Sequence, residues 1–295
     1  MAAQIIDGKA IGAKIREEAK ARAEKLRERS ITPTLAVILA GTDPASLSYV
    51  TAKEKALAQA QMESRDIRLD ASCSEAGLLS LIAELNADDA VHGILVQLPL
   101  PGHISEDKVI AAINPAKDVD GFHPVSVGNL VLGRPGFLPC TPHGVLVLLR
   151  EMQIPTAGSH TVIVGRSNIV GKPLANLMTR RDANATVTIC HTGTADLARY
   201  TREADILIAA AGRPGLITPD MVKPGAAVID VGVNRVPDSK AKNGYRLCGD
   251  VDPGAAEIAG YITPVPGGVG PMTIAMLLQN VIIAAEQISY NGVPQ

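Results

Sequence analysis

The sequence predicts an α/β protein of two domains, each built on a parallel sheet with helices on both faces. Three observations predict it. Short β-rich apolar runs alternate with helical patterns from end to end, which is the signature of βαβ units. The chain has 295 residues, more than one compact domain usually holds. Aromatic residues are 2% of it (no Trp, two Phe, five Tyr), so the cores must be built from Ala, Val, Ile and Leu. That composition suits parallel strands buried on both faces.

Taken in order, a helix rich in Ala, Lys, Glu and Arg with an apolar stripe is expected from about Gly8 to Arg29. A strand follows at Thr34–Leu39 and ends at the turn Gly41-Thr42-Asp43-Pro44. Next come a helix from about Ala45 to Gln61, a strand near Ile67–Leu69 and a helix near Glu75–Leu85. The strand Gly93–Leu98 stops at Pro99 and Pro101, and a helix covers about Glu106–Ile113. From Asn114 to Pro142 the chain is rich in Gly and Pro and reads as the loop between domains, leading into a helix over about His143–Met152.

The second half opens on the apolar strand His160–Gly165. A helix from about Pro173, the strand Thr186–Cys190, a helix near Asp196–Glu203 and the strands Asp205–Ala210 and Ala227–Val231 follow. Strand, glycine turn, helix, strand, helix, strand is the layout of a mononucleotide-binding half of a doubly wound fold. A last helix, about Met272–Gln287, is apolar enough to pack back on the first domain. The expected division is therefore residues 1–140, completed by a C-terminal helix 272–295, and residues 141–271 as a Rossmann-type domain, with a cleft between.

Composition excludes several classes of partner. The charge balance is nearly even, 28 basic against 30 acidic residues, and no basic tract stands out. Bulk electrostatic binding to nucleic acid or to a membrane surface is not expected. Cys73, Cys140, Cys190 and Cys248 are scattered without a C-x-x-C pair, so neither a metal site nor a disulfide framework is expected. Thiols of that kind fit a reducing, cytoplasmic setting. The N-terminal segment carries no secretory pattern, and the apolar runs, interrupted by Gly, Pro or polar residues, are expected to fall short of a membrane span.

The run Gly165-Arg166-Ser167-Asn168-Ile169-Val170-Gly171-Lys172-Pro173 joins a strand to a helix. Gly165 allows a tight turn, Gly171 lets the helix start lie close to a phosphate, and Pro173 suits a first helical turn. A helix N-terminus offers free N–H groups to an anion. The spacing is neither G-x-G-x-x-G nor a P-loop, and an ordinary βα turn would also fit. An NAD site would place a carboxylate at the end of the second strand. Here that end reads Cys190-His191-Thr192-Gly193-Thr194. Arg166, Ser167, Thr192 and Thr194 could instead surround a 2′-phosphate, which favours NADP.

In the first domain Tyr49 and Lys53 lie four apart on one predicted helix, sharing a face. They could be a ring platform and a base, or a surface lysine beside a half-buried tyrosine. Gln97 is placed at the carboxyl end of a strand, where ligands of α/β sheets bind, though a turn-capping amide would sit there too. Lys117-Asp118-Val119-Asp120-Gly121-Phe122 is a loop with two carboxylates but no metal-ligand partner in register. The loop Thr263-Pro264-Val265-Pro266-Gly267-Gly268-Val269-Gly270-Pro271 fixes an unusual backbone, which fits close approach to a ligand.

Six segments in order resemble the bifunctional methylenetetrahydrofolate dehydrogenase/methenyltetrahydrofolate cyclohydrolase family: S-x-x-Y-V-x-x-K-x-K-A at 46–56, V-Q-L-P-L-P at 96–101, K-D-V-D-G at 117–121, G-R-S-x-I-V-G-K-P at 165–173, D-V-G at 230–232 and P-V-P-G-G-V-G-P-M-T at 264–273. The resemblance covers essentially the whole chain. It implies Lys53 as the catalytic lysine, Gln97 as its hydrogen-bonding modulator, Tyr49 stacked on folate and Asp120 on the pterin edge. It implies Pro264, Gly267, Gly268, Gly270 and Pro271 around the substrate. Gly165, Arg166 and Ser167 would hold NADP, with Val233, where many relatives carry Ile, near the nicotinamide. It further implies a homodimer through the second domain and a place in one-carbon metabolism serving purine and amino-acid biosynthesis.

These residue types suit that chemistry. Removing hydride from a methylene bridge between two nitrogens leaves a stabilised cation without any proton transfer, so oxidation needs positioning above all. Adding water to the cation does need proton transfer, which a lysine desolvated beside a cationic substrate can perform near neutral pH. Two other readings remain open on the sequence: a dehydrogenase of a small hydroxy or amino acid, with His191 as proton relay, and a nucleotide-sensing protein without turnover.

Overall fold

A computed structural model describes residues 2–241 and 244–291. The elements in chain order are β1 (Gln4–Ile5), α1 (Gly8–Glu28), β2 (Thr34–Ala40), α2 (Pro44–Gln59), β3 (Glu63–Leu69), α3 (Glu75–Ala87), β4 (Gly93–Val96), α4 (Glu106–Ala112) and α5 (Pro124–Leu132). They continue with α6 (Cys140–Glu151), β5 (His160–Val164), α7 (Gly171–Thr179), β6 (Thr186–Cys190), α8 (Leu197–Thr201), β7 (Ile206–Ala209) and β8 (Ala227–Asp230). The hairpin β9 (Asn234–Pro237) and β10 (Tyr245–Cys248), then β11 (Tyr261–Ile262) and α9 (Val269–Asn291), complete the fold.

The chain divides into two compact units, one of residues 13–138 with 274–295, the other of residues 1–12 with 139–273. Residues 1–12 therefore group with the second half, because β1 pairs in parallel with β11 through Gln4↔Tyr261 and Ile5↔Ile262. A two-residue strand leaves no periodicity for a sequence to show. Of the C-terminal helix anticipated over 272–295, residues 292–295 lie outside the described residues.

In the unit of residues 13–138 and 274–295, three parallel strands run in the order β3-β2-β4. Every residue of β2 is buried, as a central parallel strand requires. Strand β3 begins at Glu63, four residues before the expected start, because its first residues Glu-Ser-Arg-Asp pair through their backbones at the sheet edge. α1 contributes Ile15, Ala19, Ala23 and Leu26, spaced along one face and all buried. The stretch expected to be loop contains α5. Its Gly and Pro residues are helix punctuation: Pro124 stands in the first turn, His123 Nδ1 accepts from Val125 N (3.0 Å), and Gly133 closes the helix at φ +66°.

The other unit has a six-stranded sheet in the order β1-β11-β8-β7-β5-β6. Strand β5 lies between β6 and β7, so successive connections leave it in opposite directions. That reversal is the switch point of doubly wound sheets, and ligands bind at its carboxyl ends. The hairpin β9–β10, with Asn234 paired to Cys248, is unforeseen, since its polar strands carry no clean alternation.

By length and composition Val269–Gln287 could cross a membrane, which corrects the expectation that every apolar run falls short. Most of it is buried inside the protein, including Met276, Leu277, Leu278, Val281 and Ile282, so it is a core helix. Buried Asn280 donates through Nδ2 to Val119 O (2.8 Å) and Leu138 O (3.0 Å), and Arg22 pairs with Glu286 (2.7 Å).

Two predictions follow from burial. Asn280→Ala takes a side-chain donor from the carbonyls of Val119 and Leu138 and should lower unfolding free energy by about 1–3 kcal/mol in urea titration. His143, in α6, has its pKa pushed down to about 4 by burial, reinforced by Arg150 and Arg180. The unfolded imidazole takes a proton that the folded one refuses, so this contribution is complete above pH 6.5 and declines as pH falls toward 4. Relative to the wild type, His143→Gln should retain about 2 kcal/mol more of its neutral-pH stability at pH 5, read as a flatter Tm–pH curve.

Candidate active site

Asp43 starts α2: its carboxylate accepts from Ser46 N (2.8 Å) and Pro44 occupies the first turn. Val50, Leu57 and Ala60 are buried, which turns Lys53 to a half-buried position and leaves Tyr49 48% exposed, a ring open to stack against a ligand. Across from α2, Gln97 follows β4 and extends its ladder by donating from N to Ile38 O (2.8 Å). Its side chain is fixed twice. Nε2 donates to Leu98 O (2.7 Å), and Oε1 accepts from Lys53 Nζ (3.0 Å). The neighbouring Glu54 is turned toward Arg68 (3.4 Å) and does not compete for the amine.

Asp120 is half-buried and, with Phe122, lines a recess walled by Ile94, Val96, Leu98 and Ile110. The loop that presents it is organised by Asp118, which is 2% exposed. The Asp118 carboxylate accepts from Phe122 N (3.2 Å), His123 N (2.8 Å) and Ser126 Oγ (2.7 Å). Burial, with the Asp120 charge adding to it, pushes Asp118 up to about 6 against those hydrogen bonds. Asp118 also lines the recess, so both carboxylates of K-D-V-D-G border it. Lys117 is buried and donates to Leu85 O (3.0 Å) and Asp88 O (2.7 Å).

In the other unit Gly165 follows β5 at φ +136°, and a Cβ there would overlap Ala210 O. A Cβ on Gly171 would overlap Gly165 O, so that glycine is required first by the turn's own packing. Ser167 braces the turn before α7: its Oγ accepts from Val170 N (3.1 Å) and Gly171 N (3.4 Å), while its own O–H can still donate. Arg166 is exposed beside it. After β6, Thr194 Oγ1 accepts from His191 N (2.9 Å) and His191 Nδ1 accepts from Gly193 N (3.0 Å), while Thr192 is exposed. The acid nearest to that turn, Asp196, is engaged by Arg199 N (3.1 Å) as the cap of α8. The run 190–194 itself holds no carboxylate for ribose hydroxyls, and an exposed Arg with hydroxyls suits a phosphate.

Val233 is 44% exposed just past β8. The loop after β11 is tied down by Thr263, whose Oγ1 accepts from Asp230 N (2.7 Å), and by Gly268 N donating to Pro264 O (2.8 Å). Gly267 sits at φ +113° and Gly268 is pressed against Thr263. Gly270 and Pro271 belong to the first turn of α9, and a Cβ on Gly270 would meet nothing within 4 Å. The structure thus unites Lys53 and Gln97 directly, keeps Tyr49 and Asp120 in their unit, and gathers the remaining candidates in the other. Asp118, Asp230 and Asp250 were not singled out from the sequence as site residues. Their acidity within Gly-rich loops was the available signal.

Residues 6–120 match the family model described as tetrahydrofolate dehydrogenase/cyclohydrolase, catalytic domain, and residues 139–289 match that described as its NAD(P)-binding domain. A relative from Geobacillus thermodenitrificans, named bifunctional protein FolD, is 57% identical over 98% of this chain and 99% of its own. A solved bifunctional methylenetetrahydrofolate dehydrogenase/cyclohydrolase from Campylobacter jejuni superposes with a TM-score of 0.92 at 50% identity, covering 97% of this chain and 99% of its own. The Trypanosoma brucei enzyme, solved with NADP cofactor and an inhibitor, gives 0.93 at 39% identity, with 97% and 98% covered. The chain belongs to the tetrahydrofolate dehydrogenase/cyclohydrolase family.

Proposed function

We propose that the protein oxidises 5,10-methylenetetrahydrofolate to the 5,10-methenyl form with NADP and hydrolyses that product to 10-formyltetrahydrofolate. The observation that carries this reading is the Lys53 Nζ–Gln97 Oε1 hydrogen bond of 3.0 Å, with the amide held in one orientation by Leu98 O. An amine fixed by a neutral acceptor can take and return a proton without a counter-charge that would favour its ammonium form. Lys53 then serves the addition of water to the methenyl cation, and Gln97 orients it. Tyr49 offers a face for the pteridine to stack on, and Asp120 offers acceptor oxygens for the N–H groups of the pterin edge. Pro264, Gly267, Gly268, Gly270 and Pro271 form the backbone that approaches the substrate.

When bound, NADP supplies the hydride acceptor. Gly165 gives its phosphates close access to the turn, Arg166, Ser167, Thr192 and Thr194 meet the 2′-phosphate, and Val233 borders the nicotinamide. In this reading residues 1–140 with the C-terminal helix carry the folate chemistry and residues 141–271 the cofactor. The protein works as a cytoplasmic homodimer, a reading supported by the scattered thiols for the compartment and by the family resemblance for the dimer.

Purified protein given methylenetetrahydrofolate should form the methenyl species with NADP, faster than with NAD, and then consume it. Absence of any NADP-dependent product would overturn the assignment. Lys53→Ala should lower cyclohydrolase turnover by roughly 10²–10⁴-fold, the range of a general acid–base group, while NADP still binds by direct titration. Unchanged hydrolysis in that variant would remove Lys53 from the mechanism.

A further inference from the structure

Two acids in the cofactor-side unit are buried deeply and serve no ion pair among the described residues. Asp230, 4% exposed, ends β8, and Asp250, wholly buried, follows β10. Asp230 accepts from Gly232 N (3.0 Å), Asp250 N (2.9 Å) and Val251 N (2.9 Å). Asp250 Oδ2 accepts from Ala211 N (2.7 Å) and Gly212 N (2.9 Å), and its Oδ1 accepts from Asn234 Nδ2 (2.9 Å). The fit is close enough that a Cβ on Gly232 would overlap the Asp250 carboxylate.

The location of these donors gives the carboxylate a task beyond folding. Ala211 and Gly212 continue from β7, directly after Ala210, whose carbonyl forms the wall against which Gly165 turns. Gly232 and Asn234 flank Val233, held from one side by Asp230 and from the other by Asp250. One carboxyl group therefore ties the backbone after β7 to the Asn234 side chain after β8, at the carboxyl ends where a doubly wound sheet holds its nucleotide. A carboxylate is acceptor-only, so it can satisfy all of these donors at once.

We propose that Asp250, working through Asn234 and the Ala211–Gly212 backbone, is a positioning residue for hydride transfer that sets Val233 against the nicotinamide. The proposal rests on the reading of Val233 and NADP given above. It predicts a specific sensitivity. In Asn234→Asp two carboxylates face each other, acceptor against acceptor, and no rotation of either side chain supplies a donor, so the tie to Val233's loop is lost. Changing Asp250→Asn in the same chain restores a donor–acceptor pair with its direction reversed, leaves an oxygen for Ala211 N and Gly212 N, and returns the net charge of the wild type.

The test compares wild type, Asn234→Asp and the double variant in both half-reactions, with the KM for NADP and the Tm of each. Hydrolysis of supplied methenyltetrahydrofolate uses no hydride acceptor and serves as the internal standard. Asn234→Asp should raise the KM for NADP and lower the ratio of dehydrogenase to cyclohydrolase turnover by about tenfold or more. The double variant should bring the ratio back to within about threefold of wild type. Should Asn234→Asp not fold, Asn234→Ala, which leaves every backbone donor paired, should still lower the ratio. An unchanged ratio, a parallel loss of both activities, or a double variant no better than the single one overturns the proposal. A wild type that lacks NADP-dependent turnover instead overturns the functional reading on which it rests.

Discussion

A primary amide presents a donor at one end and an acceptor at the other, and the two are interchangeable until something fixes them. At Gln97 the fixing group is Leu98 O, which takes the NH2 and leaves Oε1 facing Lys53. The amine thereby has a neutral partner in a set direction, and the rest of that unit holds the two ends of the bond in place. β4 is anchored through the all-buried β2, and Gln97 itself is stitched to Ile38 O. α2 is started by the Asp43 cap and seated by Val50 and Leu57. Shifting either element by one residue would turn Lys53 or Gln97 away from the other.

The buried acids follow a common logic. Where strands end and loops begin, N–H groups lose their ladder partners yet stay out of water, and each needs an acceptor. Asp118, Asp230 and Asp250 each supply both carboxyl oxygens to several donors, converting glycine-rich stretches into loops of fixed shape. The cost is desolvation, visible in the upward displacement of Asp118 and Asp230 to about 6. In K-D-V-D-G the acid that fixes the loop, Asp118, borders the same recess as Asp120.

Much of this was legible in the sequence where physics acts locally. Apolar runs such as Thr34–Ala40 and Thr186–Cys190 announce parallel strands, and Tyr49 and Lys53 share a face by helical spacing alone. β1, β11, the polar opening of β3 and the hairpin β9–β10 escaped notice because backbone pairing, rather than a side-chain pattern, holds them. α5 reads as loop in the sequence because the Pro and Gly that bracket a short helix are the same residues that mark a turn.

The sequence by itself determined the alternation of strands and helices, the glycine turn at 165–171, the lack of a carboxylate in 190–194, and the candidates Lys53, Gln97 and Asp120. Those depend on residue type and near-neighbour spacing. Only the tertiary structure decided which way the Gln97 amide points, that Gly171 answers to Gly165 O, that Asp118 serves a loop, and that Asp250 joins Asn234 to Ala211 and Gly212. Each of those is a contact between segments far apart in the chain, and no local rule fixes which distant donor a buried acceptor will find.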